Sequence, residues 1–404
     1  MQSKNSRMML ACGAAMLSVM GGTAQAATIN LIDNGGVAGS QAEQGFNIAA
    51  AYWGSVLSNN ATINLGVSFA ALAPNIIGST GSTRADYSVR NWENRVNASK
   101  SSSTLDQKAV LPTLNAAGGA SFISSGVAAD GNDDTTDVDF IRGDTTSSKM
   151  LYLNTSVIKA IGGNINPNTV DGNVTFSSNF AFDFNPTNGI SAGTFDFIGV
   201  AIHEIGHALG FVSGVDFLDV YGYPNGAAAG TLGYSLNDTS IYSSLDMFRY
   251  SKDPEGLVRG NGGVLDLSVG TKSYFSIDGG ATALFDNEFS TGRYNGDGQQ
   301  ASHWKDAAGA NRCGPQLGVM DPTFCFGQMG EVTALDLAAY DAMGWNIAFD
   351  VLKNPTYLAS SADIYRTFAA AVPEPASWLT MILGFGAIGG VLRHRVRKVR
   401  YAAA

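Results

Sequence analysis

The sequence predicts an α+β domain with a mixed β-sheet, a buried central helix and a closing C-terminal helix, plus a C-terminal membrane-spanning helix. Three observations predict it. The first residues past the N-terminal leader alternate strand, helix and strand patterns. The stretch Phe195–Phe211 is apolar on nearly every side, as a helix enclosed by a core must be. The run Ala376–Leu392 is uncharged and ends in dense positive charge.

Thr28–Ile32 is a short strand candidate. Gln41–Leu57 places Phe46, Ala49, Ala50, Trp53 and Leu57 at helical spacing, and Thr62–Phe69 alternates as a half-buried strand does. Together these give a β-α-β opening. Residues 75–150 are rich in Ser, Thr, Gly and Asp and show no clear period. Val174–Phe184 reads as a further strand at an edge. Helix Phe195–Phe211 follows, with Thr194 placed to cap it, Asp196 in its first turn and Gly210 able to end it. Residues 211–300 are expected to form an insertion of strands and loops, with a hairpin near Asp278-Gly279-Gly280. Thr333–Gly344 is the closing helix, capped by Thr333 with Asp336 three residues on. The domain is expected over residues 27–350, followed by a linker over 351–371.

Composition excludes several classes. At 404 residues, 45% hydrophobic and 14% charged, the chain is too apolar for disorder and too long for a disulfide-stapled miniprotein. Its net charge is −10, and the ends hold seven of the 24 Lys and Arg but only Glu374 of the 34 acids. The body is therefore more acidic than the whole, and would repel a phosphate backbone; no nucleic-acid partner is expected.

Lys4 and Arg7 precede the apolar run Met8–Met20, and Ala24-Gln25-Ala26 has the small-x-small form of a cleavage site. Residues 1–26 read as a secretory signal peptide. Cys12 leaves with it, and Cys313 and Cys325 remain. In an oxidising compartment a disulfide is the favoured reading, worth about 3 kcal/mol at best; two buried thiols are the alternative. At the other end, the seventeen residues of Ala376–Leu392 rise about 1.5 Å each, the lower limit for a bilayer span. The basic cluster from Arg393 to Arg400 would stay cytoplasmic and leave the body outside.

The chemistry concentrates at His203-Glu204-Ile205-Gly206-His207. Histidines four apart project from one helix face, where they can share one zinc ion, and Glu204 stands beside them to act on its water. Chance produces such a motif roughly once in a thousand chains of this composition. A zinc hydrolase needs a third protein ligand and one open position. The chain has four histidines. His394 lies in the basic tail, which leaves His303 in Ala301-Ser302-His303-Trp304-Lys305.

The continuation to Gly210 resembles the metzincin metalloproteases, whose glycine bends the chain toward a third ligand three residues later. Here that slot holds Ser213, Asp216 comes three residues too late, and Glu255 has no supporting context. A glycine-ended motif helix, a long insertion, Ser302-His303-Trp304-Lys305, the turn Gly318-Val319-Met320-Asp321-Pro322 and a closing helix resemble the leishmanolysin-like branch, over roughly residues 194–345. That resemblance implies His203, His207 and His303 as zinc ligands, Glu204 as general base, and Met320 as the methionine under the metal. Its expected activity is peptide-bond hydrolysis on a protein or peptide substrate. The cysteine pair would clamp the Met320 turn. The acidic run Asp130-Gly131-Asn132-Asp133-Asp134, with Asp137 and Asp139, is a candidate calcium site, although a solvated loop is the favoured reading.

Val372-Pro373-Glu374-Pro375, Trp378, the apolar span and the arginine-rich end resemble PEP-CTERM sorting tails of Gram-negative bacteria, here over 372–404. The resemblance implies an exosortase-type partner, export across the inner membrane and a cell-surface or extracellular destination. Such tails also occur on non-enzymatic matrix proteins, so a surface protein with a structural metal site is the alternative function. A zinc hydrolase acting on something other than protein is a third.

Overall fold

The computed structural model describes residues 26–125, 138–222, 238–252, 262–308 and 312–371. Residues 1–25 of the expected signal peptide, the expected sorting tail over 372–404 with its membrane span, and the acidic run Asp130–Asp134 with Asp137 lie outside the described residues. Among the described residues no helix is long and apolar enough to cross a membrane.

The architecture is mixed α and β, with several sheets. β1 (Thr28–Gly35) and β2 (Thr62–Ala70) pair in parallel, joined by α1 (Gln41–Val56), which buries Phe46, Ala49, Ala50 and Trp53. The helix stops one residue before Leu57, which turns extended and bridges Ile347. The main sheet adds β3 (Gly78–Ser82) and β4 (Val170–Ser177) in the order β1-β2-β4-β3. β4 runs parallel to β2, and β3 runs antiparallel to β4, so the sheet is mixed as expected.

The strand expected at Val174–Phe184 starts at Val170, ends at Ser177 and lies inside the sheet, where Val174 and Phe176 are fully buried. Phe182–Asp183 forms a separate short strand beside Phe195–Asp196. The edge beside it is β3, a run of Gly, Ser and Thr whose polarity hides its strand character.

α2 (Phe197–Ala208) buries every one of its residues against α1, β3 and β4. Phe46, Phe176 and Phe197 cluster at its start, with ring centroids 4.6–5.2 Å apart. It begins two residues later than expected. Asp196, not Thr194, is the N-cap residue, and its carboxylate accepts from the Gly330 N–H at 2.9 Å. The Thr194 hydroxyl donates to the Ser191 carbonyl instead. Gly210 takes φ +121° just past the helix end.

α3 (Ala334–Met343) carries the expected capping box of Thr333 and Asp336. Residues 351–371, expected as a linker, are part of the fold. Leu358–Ser360 pairs with Glu331–Thr333, and α4 (Ser361–Phe368) packs on α1. The reason is amphipathicity: Ala362 and Ile364 are buried, while Ser360 caps the helix by accepting from the Asp363 N–H.

In the insertion, Arg249–Lys252 is the middle of a three-stranded antiparallel sheet, between Gly263–Leu265 and Tyr274–Phe275. No hairpin forms at Asp278-Gly279-Gly280. The Asp278 carboxylate instead accepts from the Thr282 N–H and hydroxyl, closing a turn with no strand after it. Cys313 and Cys325 are joined as a disulfide, with Cα atoms 5.8 Å apart.

Candidate metal centre

α2 is held at its C-terminal end by side chains from outside it. The last carbonyls of a helix have no partner within it. Here Asn154 donates to the His207 and Ala208 carbonyls, Ser156 to Ala208, Ser82 to His207 and the Trp345 indole to Leu209. The histidine-bearing turn is thus fixed on a rigid frame.

His303 arrives from the far side of the insertion and joins His203 and His207 in one buried cluster that could hold a metal ion. His207 Nε2 lies 3.1 Å from His203 Nε2 and 3.2 Å from His303 Nε2. Each ring uses its other nitrogen on a backbone carbonyl: His203 Nδ1 on Val319 at 2.7 Å, His207 Nδ1 on Phe211 at 2.6 Å, and His303 Nδ1 on Gln300 at 3.2 Å. A carbonyl only accepts, so each Nδ1 carries the proton and each Nε2 keeps its lone pair.

Burial opposes the alternative of a charged ring. It holds the His203 pKa down at about 4 and the His207 pKa at about 3, and depresses His303 as well, with the neighbouring imidazoles adding to the effect on His207 and His303. Three converging lone pairs repel one another unless a cation sits between them. A tetrahedral zinc ion about 2.0–2.1 Å from each nitrogen would space the donors roughly 3.3 Å apart. The residues present fit such an ion.

Glu204 lines the same cleft, a cavity of about 680 Å³. The Thr80 hydroxyl, on edge strand β3, lies 2.7 Å from Glu204 Oε2 and 2.8 Å from the Glu204 carbonyl. Burial pushes the Glu204 carboxyl up to about 7, against the pull of the Thr80 hydrogen bond. β3 passes so close that a Cβ on Gly78 would meet Glu204 Oε1 at 2.5 Å.

Met320 is fully buried beneath α2, and a Cβ on Gly206 would meet its sulfur at 2.8 Å. The Tyr340 hydroxyl donates to Met320 Sδ at 3.8 Å. Asp336, foreseen only as a helix cap, does more. Its carboxylate accepts from the Val319 and Met320 N–H groups and from the Trp304 indole at 2.8 Å. It thereby fixes both the carbonyl under His203 and the residue next to His303.

Neither Ser213 nor Asp216 is in the histidine cluster. Ser213 donates to Asp246, and its N–H donates to the Ser302 hydroxyl at 2.8 Å. Asp216 accepts from the Ala301 N–H at 2.6 Å, the Ser302 N–H at 3.1 Å and the Ser302 hydroxyl. It clamps the two residues that precede His303. Sequence reasoning weighed Asp216 only as a ligand and missed this; the pairing links positions 85 and 86 residues apart, which no local pattern reveals. Thr80 was also missed, lying in the stretch without period.

Compared with protein-family models, curated proteins and solved structures, the chain matches none.

Proposed function

We propose that the protein is a zinc-dependent endopeptidase of metzincin type, similar to the leishmanolysin-like branch, exported and directed to the cell surface by its sorting tail. The observation that carries this reading is the convergence of three histidine Nε2 atoms beside a buried carboxylate in one cleft. His203, His207 and His303 would hold the ion. When bound, zinc supplies a Lewis acid that polarises a peptide carbonyl and acidifies water.

The chain's own groups do the rest. Each Nδ1–H···O=C bond fixes a ring with its Nε2 turned inward. Glu204, poised at about 7 by burial, takes the proton of the attacking water and passes it to the leaving amine. Thr80 orients the carboxylate through Oε2. Among the described residues β3 pairs with β4 alone, which leaves its other edge to an extended peptide.

The test is Glu204→Ala. The purified variant should keep one zinc per chain and lose casein cleavage by about 10²-fold or more, while the wild type is inhibited by chelators. Retained cleavage would remove Glu204 from the role of base. Zinc bound without any cleavage by the wild type would favour the structural-metal alternative.

A further inference from the structure

Arg84 opens the strand Arg84–Ser88, two residues after β3 ends, and pairs with Asn154, whose side chain holds the His207 carbonyl. It lines the catalytic cleft together with His207, Ser213 and Asp216. Among the described residues its guanidinium makes no side-chain hydrogen bond or ion pair, and it lies 5.9 Å from the centre of the Tyr152 ring. Asp246 and Asp216 stabilise its charge electrostatically, against a burial that lowers its pKa. Neither acid pairs with it directly. Asp246 is spent on Ser213, Gly214 and Ser243, and Asp216 on Ala301 and Ser302.

A structural arginine in this fold looks different. Arg249 is buried, donates to the Ser290 carbonyl at 2.9 Å and to Ala301, and lies 4.9 Å from the centre of the Phe289 ring. Arg84 is only partly buried and also lies near an aromatic ring, yet it lines the cleft and its guanidinium has no direct partner among the described residues. The planar fork of a guanidinium matches a carboxylate, which it grips through two parallel bonds. A second, exposed arginine, Arg293, lines the same cleft. The chain as a whole carries −10, and in the cleft these two cations stand alongside Glu204 and Asp216.

We propose that Arg84 anchors a carboxylate-binding subsite in the cleft, so that the preferred substrate carries an acidic side chain near the bond that is cut. This rests on the endopeptidase reading of the site. Arg293 guides the same carboxylate inward, and because the oxygens of Asp216 and Asp246 accept from other donors, neither forms a direct ion pair with Arg84.

The experiment uses peptide pairs that differ by Glu against Gln at each position flanking the cleaved bond, with free and amidated C-termini. The expected result is a preference of at least about tenfold in kcat/KM for Glu at one position, collapsing toward unity in Arg84→Gln and only partly restored in Arg84→Lys. No preference at any position, or one that survives Arg84→Gln, overturns the proposal. A preference confined to the free C-terminus overturns the side-chain assignment. Zinc content and melting temperature check that each variant is folded. Should no peptide be cleaved at all, the endopeptidase reading fails separately. Fluorescence anisotropy on Glu204→Ala still decides the subsite: tighter binding of the Glu peptide, lost on adding Arg84→Gln, supports it, and equal binding of both peptides overturns it.

Discussion

Replacing Asp216 with alanine tests how the third imidazole is delivered. The carboxylate holds the Ala301 N–H at 2.6 Å, the Ser302 N–H at 3.1 Å and the Ser302 hydroxyl, immediately before His303. Hydrogen bonds to a charged group are worth about 1.5–3 kcal/mol each, and their loss leaves two backbone donors unpaired. Other supports remain: Ser290 N–H on the His303 carbonyl at 3.1 Å, Trp304 N–H on Met320 at 3.0 Å, and Arg249 on Ala301. His303 should therefore loosen without leaving. Outer-shell losses of this kind weaken metal binding by about 10–100-fold, or about 1.4–2.7 kcal/mol. Competition with a chromophoric zinc chelator measures the Kd, and circular dichroism of the metal-free variant checks the fold. Ser302→Ala, which removes one of the three bonds, should fall between variant and wild type. A Kd for Asp216→Ala within twofold of wild type would refute the clamp.

Two other predictions rest on single contacts. Gly78→Ala places a methyl 2.5 Å from Glu204 Oε1 and must displace either that carboxylate or the strand; on the proposed reading peptide cleavage should fall at least about tenfold while zinc stoichiometry is kept, and steady-state kinetics with metal analysis reads both. Asp341 is pushed up to about 8 by burial and by the nearby Asp106. A carboxyl raised in the folded state contributes stability that is complete below its unfolded pKa of about 3.9 and is lost as pH rises to the folded value. Asp341→Asn removes that dependence, so urea unfolding should show the variant gaining on wild type between pH 5 and pH 8, by at most about 1.4 kcal/mol per pH unit. An unchanged difference across that range would contradict the assignment.

What the sequence made legible was whatever one element encodes by itself. α1 and α2 announce themselves through apolar spacing, α3 through Thr333 and Asp336, and the paired histidines through their separation of four. His303 was reachable by counting, because only four histidines exist and the other three, His203, His207 and His394, were accounted for. β3 was not legible, since Gly78-Ser79-Thr80-Gly81-Ser82 has no apolar alternation; its strand state comes from pairing with β4. The sequence placed β4 at an edge for the same reason, its neighbour being invisible. α4 was overlooked because its neighbourhood was read as the approach to an anchor, although Ser360, Ala362 and Ile364 carry an ordinary capped and amphipathic pattern. Asp216 and Asp336 act across the fold, and contacts of that range have no local signature.

The arrangement also bears on which kind of metal centre this is. Structural zinc sites are closed by four protein ligands, whereas catalytic ones keep a position free. Among the described residues only three donors converge, and Glu204, whose carboxylate is tied to Thr80 on the wall of the cleft, is not among them. The remaining side of the cluster faces a cavity of about 680 Å³ bordered by the edge strand. A purely structural ion would also leave Glu204 without a purpose: burial raises its pKa to about 7, which is a cost to folding at neutral pH. Such a cost makes sense for a group that must exchange protons. Glu204→Gln should lower turnover while leaving zinc stoichiometry unchanged, and turnover kept at the wild-type level would favour a structural ion.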